Sequence, residues 1–320
     1  MDGIATLALP FFALMFLGFG AGKWLRIPDQ GLAGLQVFIL YFALPALFFR
    51  LISNTPIEQL GEWRFILATT SATLIVFALG FIVGMIVTRR NVAEATMQGL
   101  AASYANNGHM GPGLALAAFG PAAAVPTALV FCFDNLLMFT LAPVGVSIGR
   151  RDGAGPGTIA LLVLRRVFTH PFIIATILGV IAAALHFRPP EPIDHLLELL
   201  SNAAAPCALF TLGIVLAKQP LKRLPVDLPI LMFLKLVGHP LLTWVMLSLF
   251  SNFEPVWVYT AVLIASLPMA TNVFVIAQQY GVWVNRASSA VLISTVVAVF
   301  SVTGVLALIG SGALPVDLFP

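Results

Sequence analysis

The chain has 320 residues, 60% of them apolar and only 9% charged, and its mean hydropathy is +1.01. So little charge excludes an ordinary soluble domain, whose surface is built largely from charged side chains. The net charge of +3 does not point to a nucleic-acid partner either, because Lys and Arg are scattered through short intervals between apolar runs rather than gathered into a patch.

Those apolar runs, each about 20 residues and long enough to cross the hydrocarbon core, predict an all-α polytopic membrane protein. Ten transmembrane helices are expected, near 4–22, 31–51, 64–88, 95–119, 123–148, 160–186, 194–217, 228–250, 256–280 and 287–310. The first run begins after Asp2, and its positive charges, Lys23 and Arg26, come behind it, which fits a retained span better than a cleaved signal. Cys132 and Cys207 fall inside apolar runs and are expected as buried free thiols that indicate no redox compartment.

Counting basic residues sets the expected orientation. With the N-terminus outside, the inner loops hold Lys23, Arg26, Arg89, Arg90, Arg150, Arg151, Arg165, Arg166, Lys218, Lys222, Arg223 and Arg286, which is 12 of the 16 Lys and Arg. Arg50, Arg64 and Arg188 fall outside, and Lys235 lies within a span. The asymmetry predicts both ends on the outer side of a cell inner (plasma) membrane.

The two halves repeat one another. Ala43-Leu44-Pro45-Ala46-Leu47-Phe48 in span 2 matches Ala205-Pro206-Cys207-Ala208-Leu209-Phe210 in span 7, and Ala102-Ser103 with Phe119-Gly120 in span 4 matches Ala265-Ser266 with Tyr280-Gly281 in span 9. A duplicated five-span unit gives repeats of inverted orientation, residues 1–150 and 151–320, and inverted repeats are a transporter architecture with the substrate site at their junction.

The polar residues concentrate where that site is expected. Span 4 reads Ser103-Tyr104-Ala105-Asn106-Asn107-Gly108-His109-Met110-Gly111-Pro112-Gly113, and span 9 reads Ser266-Leu267-Pro268-Met269-Ala270-Thr271-Asn272. Proline removes a helix hydrogen bond and clashes with the preceding turn. Unpaired backbone is tolerated at membrane depth only against protein or a water-filled cavity. Both segments are therefore expected as broken helices, with Asn107 and Asn272 capping the half-helices that begin there, and their N-termini favouring a carboxylate. His109, in the first break, is read as an anion ligand, a proton shuttle or a side chain that only satisfies a backbone carbonyl. Asp134, beside Asn135 in span 5, and Lys235, with His239 a turn later in span 8, are costly in lipid. They are expected either to pair or to face the cavity separately, and Asp134 is the candidate for proton coupling. His170, before Pro171, is expected to cap span 6.

Other chemistries are weaker. Gly145-Val146-Ser147-Ile148-Gly149 has the Gly-x-Ser-x-Gly form, but at the end of a transmembrane helix it lacks the strand-to-helix elbow a hydrolase needs. Gly80-Phe81-Ile82-Val83-Gly84 reads as a close-packing face. No zinc-protease or Walker A motif occurs, so neither an enzyme nor a self-contained ATP pump is expected, and no cofactor or metal is called for. An anion channel, or a non-transporting membrane receptor for the same ligands, is the alternative to a carrier.

Leu267-Pro268, with Thr271-Asn272-Val273-Phe274-Val275-Ile276-Ala277-Gln278-Gln279-Tyr280-Gly281, resembles the auxin efflux carrier family. Ala43–Phe48 with Ile52-Ser53, Arg64-Phe65-Ile66, Pro171-Phe172-Ile173-Ile174, and Lys235 with Pro240 support the same resemblance along the chain. The resemblance implies a fold related to bile-acid sodium symporters. Spans 1, 2, 6 and 7 would form a scaffold, often dimeric, and spans 3–5 and 8–10 a moving transport domain whose spans 4 and 9 cross. It also implies a carboxylate site at Asn106, Asn107, Pro112, Pro268, Thr271 and Asn272, with malonate, malate or an indole-type acid as substrate. Thr69 replaces the acidic residue of plant members early in span 3, the long cytosolic loop of many plant members is absent, and span 9 lacks the glutamate of sodium-coupled relatives.

Overall fold

A computed structural model describes residues 2–25, 27–150, 157, 161, 164–165, 168–219, 224, 226–250 and 252–318. Among them the regular structure is helical, with no strand and a single isolated β-bridge. Six helical runs are long and apolar enough to cross a membrane: Asp29–Ser53, Trp63–Val87, Pro121–Gly149, Glu191–Lys218, Leu228–Phe250 and Val284–Gly310. Shorter apolar helices, Leu9–Trp24, Pro171–Ala184 and Pro255–Ala265, accompany them. The start expected for span 6, and the basic residues Arg26, Arg151, Arg166, Lys222 and Arg223, lie outside the described residues.

The helices divide into two compact units. One comprises Met1–Trp63, Gly108–Leu129 and Phe168–Lys218. It contains α1 (Asp2–Trp24), α2 (Asp29–Phe38), α3 (Leu44–Ser53), α6 (Gly111–Phe119), α8 (Pro171–Ala184) and α9 (Glu191–Lys218). Small residues let α1 and α9 approach closely. A Cβ on Gly18 would strike the Phe210 carbonyl, and one on Gly213 would strike that of Met15. Between α2 and α3 the turn widens to π geometry over Ile39–Ala43, just before Pro45, which takes up the bond the proline cannot make. Phe48 on α3 packs edge-on against Phe172 on α8, with ring centroids 4.1 Å apart. At the end of α3, Arg50 makes a two-pronged bond to Asp194 on α9, at 3.0 and 3.2 Å. His170 does hold the N-cap position of α8, with Pro171 following, but its side chain makes no capping bond.

The second unit comprises Arg64–Asn107, Val130–Val167 and Gln219–Pro320. Its helices are α4 (Trp63–Val87), α5 (Val92–Ser103), most of α7 (Ala124–Arg150), α10 (Leu228–Phe233), α11 (His239–Phe250), α12 (Pro255–Ala265), α13 (Thr271–Tyr280) and α14 (Val284–Gly310). The best-enclosed of these is α5, buried from Ala95 to its end. Its start follows from Asn91, whose side chain accepts the Glu94 amide at 3.2 Å. Glu94 in turn meets Arg286 on α14 at 3.3 Å.

Two glycine pairs bring the neighbours of α5 close. Cβ atoms on Gly80 and Gly84 of α4 would run into Ala102 and Ala95, and those on Gly145 and Gly149 of α7 into Thr96 and Ala93. The Gly-x-Ser-x-Gly sequence is thus a helix-packing face. We expect Gly84→Val or Gly145→Leu to cost about 1–3 kcal/mol by overpacking. A thermal melt in detergent reads this, and an unchanged melting temperature for both variants would refute the close packing. Neither Cys132 nor Cys207 is in a disulfide, and both are half-buried rather than buried, since each sits on a helix face only partly covered by protein.

Candidate functional site

Both polar interruptions expected from the sequence are present. One separates α5, ending at Ser103, from α6, starting at Gly111; the other separates α12, ending at Ala265, from α13, starting at Thr271. Each following half-helix is short and stops at a glycine with positive φ, Gly120 at 72° and Gly281 at 62°, a geometry that favours glycine.

Within the second unit the two interruptions bond to each other. Ala105 and Met269 form an antiparallel bridge. The Asn106 amide donates to the Pro268 carbonyl at 2.9 Å, and the Ala270 amide donates to the Tyr104 carbonyl at 3.0 Å. Backbone freed from one helix is thereby satisfied by backbone freed from the other, which answers the demand that every buried backbone group be paired. The Met269 amide is met by Ser294 Oγ on α14 at 3.3 Å.

The capping expected of the asparagines does not occur. The N-cap of α6 is Met110 and that of α13 is Ala270, neither with a side-chain capping bond. Pro112 favours the first helical turn, which moves the start of α6 four residues beyond Asn107. Ala270 stays extended because its amide is bonded to Tyr104, so α13 begins at Thr271 and Asn272 lies inside its first turn. Asn107 instead turns its amide to Asp134, Nδ2 to Oδ2 at 3.2 Å. Asn106 and Thr271 are buried and Asn272 is exposed. His109 and Pro112 belong to the first unit, where His109 is half-buried and Pro112 lies in the first turn of α6.

The buried charges make no direct ion pair with each other. Lys235 is wholly buried on a π turn, Leu234–Gly238, that precedes Pro240. A π turn before a proline removes the clash with the preceding carbonyl and re-aims the side chains of that turn. Lys235 Nζ donates to the Ala265 carbonyl at 2.6 Å, placing a cation at the C-terminal end of α12, and lies 3.1 Å from His239 Nδ1. His239 Nε2 is 3.2 Å from Thr73 Oγ1 on α4, and that hydroxyl donates to Asp134 Oδ1 at 3.0 Å. An unbroken row of buried polar groups therefore runs from Asn107 through Asp134, Thr73, His239 and Lys235 to Ala265, from one break to the other. Asn135, next to Asp134, accepts from the Tyr104 hydroxyl at 2.5 Å and donates to the Phe131 carbonyl at 2.7 Å.

The sequence reading missed Thr73 and Tyr104 and gave His239 no partner. The four-residue spacing of Lys235 and His239, which puts both on one helix face, was the available signal for His239. A threonine in an apolar span carries no comparable signal. Among the described residues no cluster of three His, Cys, Asp or Glu is placed to hold a metal ion.

Membrane-length helices, two interruptions bonded to one another and a buried row of ionisable groups between them are the features of a membrane protein that handles a polar solute. The chain belongs to the family described as "Membrane transport protein", whose model matches residues 4–150 and 156–306; this is the auxin efflux carrier family that the span-9 motif resembles. It is 52% identical over 320 residues to a "Putative malonate transporter" of Rhizobium meliloti (strain 1021), covering all of both chains. It is 24% identical to "Auxin efflux carrier component 8" of Arabidopsis thaliana, over 92% of this chain and 94% of that one. It is also 23% identical to "Lysosomal cholesterol signaling protein" of Mus musculus, over 91% of this chain but only 36% of that protein. The chain is thus a multi-pass membrane protein of a transporter family.

Proposed function

We propose that the protein is a secondary active transporter of small organic carboxylates, working by alternating access. The paired helix breaks carry this reading, because residues 104–106 and 268–270 bond to each other within one unit, and half-helix starts at such breaks have free amides that favour an anion. Asn106, Asn107, His109, Pro112, Pro268, Thr271 and Asn272 form the substrate site in this reading, and Asp134, Asn135 and Lys235 the coupling and support residues. Similarity to the protein described as a "Putative malonate transporter" favours a malonate- or malate-sized acid over an indole-type monocarboxylate.

The architecture that goes with this function is ten spans in two inverted repeats, 1–150 and 151–320. A scaffold of spans 1, 2, 6 and 7 supports a dimer, and spans 3–5 and 8–10 move against it in an elevator-like step. The distribution of Lys and Arg favours an inner-membrane location with both termini outside.

Uptake of labelled malonate, malate and indole-3-acetate into proteoliposomes tests the function. Accumulation against a gradient is expected for at least one acid, and a channel could only equilibrate it. Asn107→Leu and Asn272→Leu are each expected to reduce that uptake by roughly tenfold or more, the equivalent of one lost polar contact to a charged group. Full uptake by both variants would move the site elsewhere.

A further inference from the structure

We propose that Lys235, His239, Thr73 and Asp134 form a proton wire along which two bridged opposite charges convert into two neutral groups and back. The inference deepens the transport reading by naming the coupling device, and it rests on that reading for its role in transport.

With Lys235 charged, donor and acceptor chemistry sets the direction of every bond. Lys235 has only donors, so at 3.1 Å His239 Nδ1 accepts from it. A neutral imidazole that accepts at Nδ1 carries its proton on Nε2, which donates across 3.2 Å to Thr73 Oγ1. The threonine hydroxyl then has its own proton free for Asp134 Oδ1, 3.0 Å away. Donors and acceptors thus alternate without conflict from ammonium to carboxylate.

The shift balances in three moves. An Nζ–H bond of Lys235 breaks as an Nδ1–H bond forms on His239; the Nε2–H bond breaks as a new O–H forms on Thr73; the original Thr73 O–H breaks as an O–H forms on Asp134. Lysine ends as a neutral amine, aspartate as a neutral acid, threonine is unchanged, and the imidazole has exchanged one neutral tautomer for the other. Net charge is zero before and after, so the step needs no counter-ion from lipid, where separated charge is expensive.

Other polar and ionisable neighbours are committed elsewhere. Tyr104 gives its hydroxyl to Asn135, Asn107 donates to the second oxygen of Asp134, and Arg286 is paired with Glu94. A cavity with about 10 Å³ open to the centre of a water molecule adjoins Asp134, lined also by Thr69, Thr73, His239 and Thr243. That is about the room one water needs, and it gives the carboxyl end of the wire contact with an exchangeable proton carrier.

Because both ends of the wire touch a helix break, the protonation of one break is tied to that of the other. With Asp134 neutral, the carboxylate beside Asn107 is gone, and an incoming anion meets less repulsion there. With Lys235 neutral, the cation on the Ala265 carbonyl is gone.

The test is an infrared temperature series at constant pH on the purified, substrate-free protein with isotope-labelled histidine, because a shift that takes up and releases no net proton responds to temperature rather than to pH. Asp134→Asn and His239→Asn variants assign the carboxyl and imidazole bands. The His239 tautomer marker is expected to switch from Nε2–H to Nδ1–H together with the appearance of the protonated Asp134 band. Thr73→Val should abolish this joint switch, and Thr73→Ser should restore it. A single tautomer throughout, a charged imidazolium, or a joint switch that survives Thr73→Val would each overturn the wire. No substrate enters the measurement, so a failure of uptake would sink the transport reading while leaving the wire, and a failed switch would do the reverse. In uptake assays Thr73→Val is expected to lose roughly hundredfold in pH-gradient-driven rate, the scale of a removed proton-transfer group.

Discussion

Lys235→Met is expected to destabilise the protein by about 3–5 kcal/mol, the scale found when one member of a buried charge pair is removed. Methionine nearly matches the lysine stem in volume, so cavity formation contributes little. The loss has two sources. The Ala265 carbonyl, which ends α12 at the second break, forfeits the donor that satisfies it at 2.6 Å. Asp134 then sits at the end of a hydrogen-bonded row with no cation on it. Adding Asp134→Asn to Lys235→Met should recover more than half of the loss, because the second change removes the uncompensated charge. Thermal melts of the two single variants, the double variant and the wild type form the cycle that measures this. If the two single effects simply add, the charges are energetically independent and the row from Lys235 to Asp134 transmits nothing.

Why the two charges are bridged rather than paired follows from the backbone around them. The π turn at Leu234–Gly238 is a consequence of Pro240, and it aims Lys235 at the C-terminal end of α12. With the ammonium committed there, the imidazole of His239, one turn on, reaches Thr73 on α4. Thr73 then completes the span to Asp134. Each link is a single hydrogen bond of 3.0–3.2 Å, whereas bringing the ammonium against the carboxylate would take the Lys235 donor away from the Ala265 carbonyl.

The same particulars show what the sequence could and could not reveal. Composition identifies the breaks, because Asn106-Asn107 with Pro112, and Pro268 with Thr271-Asn272, are poor choices for an uninterrupted apolar helix. The cost of Asp134 and Lys235 in lipid likewise marks both as either paired or facing a cavity, without choosing between the two. Partner identity is a matter of distance, and a linear pattern carries none for residues 61 or 166 positions apart, as Thr73 is from Asp134 and from His239. Capping failed for a related reason. Asparagine is a good cap by propensity, but Pro112 and the Tyr104–Ala270 bond decide where the half-helices start, and both leave the asparagines out of position. The glycines of Gly145–Gly149 were ambiguous in sequence, and only the closeness of Thr96 and Ala93 assigns them to packing.

Ala270→Pro is expected to be the most informative single change at the paired breaks. Ala270 has φ −65°, the value a proline ring imposes, and Met269 before it lies in a bridge of extended backbone, as a residue preceding proline should. The substitution therefore keeps both residues' backbone angles, but it removes the amide that donates to the Tyr104 carbonyl at 3.0 Å and sets the ring Cδ in the hydrogen's place, so the two breaks must part there. A buried carbonyl left without its donor costs about 1–3 kcal/mol. Spent on the bonded arrangement of the two breaks, that corresponds to roughly tenfold to hundredfold in any activity that requires them held together. Ala270→Ser keeps the amide and should transport like the unaltered protein. Side-by-side uptake assays on the two variants, with equal amounts of monodisperse protein in the vesicles, give the comparison. If Ala270→Pro moves substrate as fast as Ala270→Ser, the bond between the interruptions is dispensable, and the site must draw its precision from side chains such as Asn107 and Tyr104 instead of from the backbone.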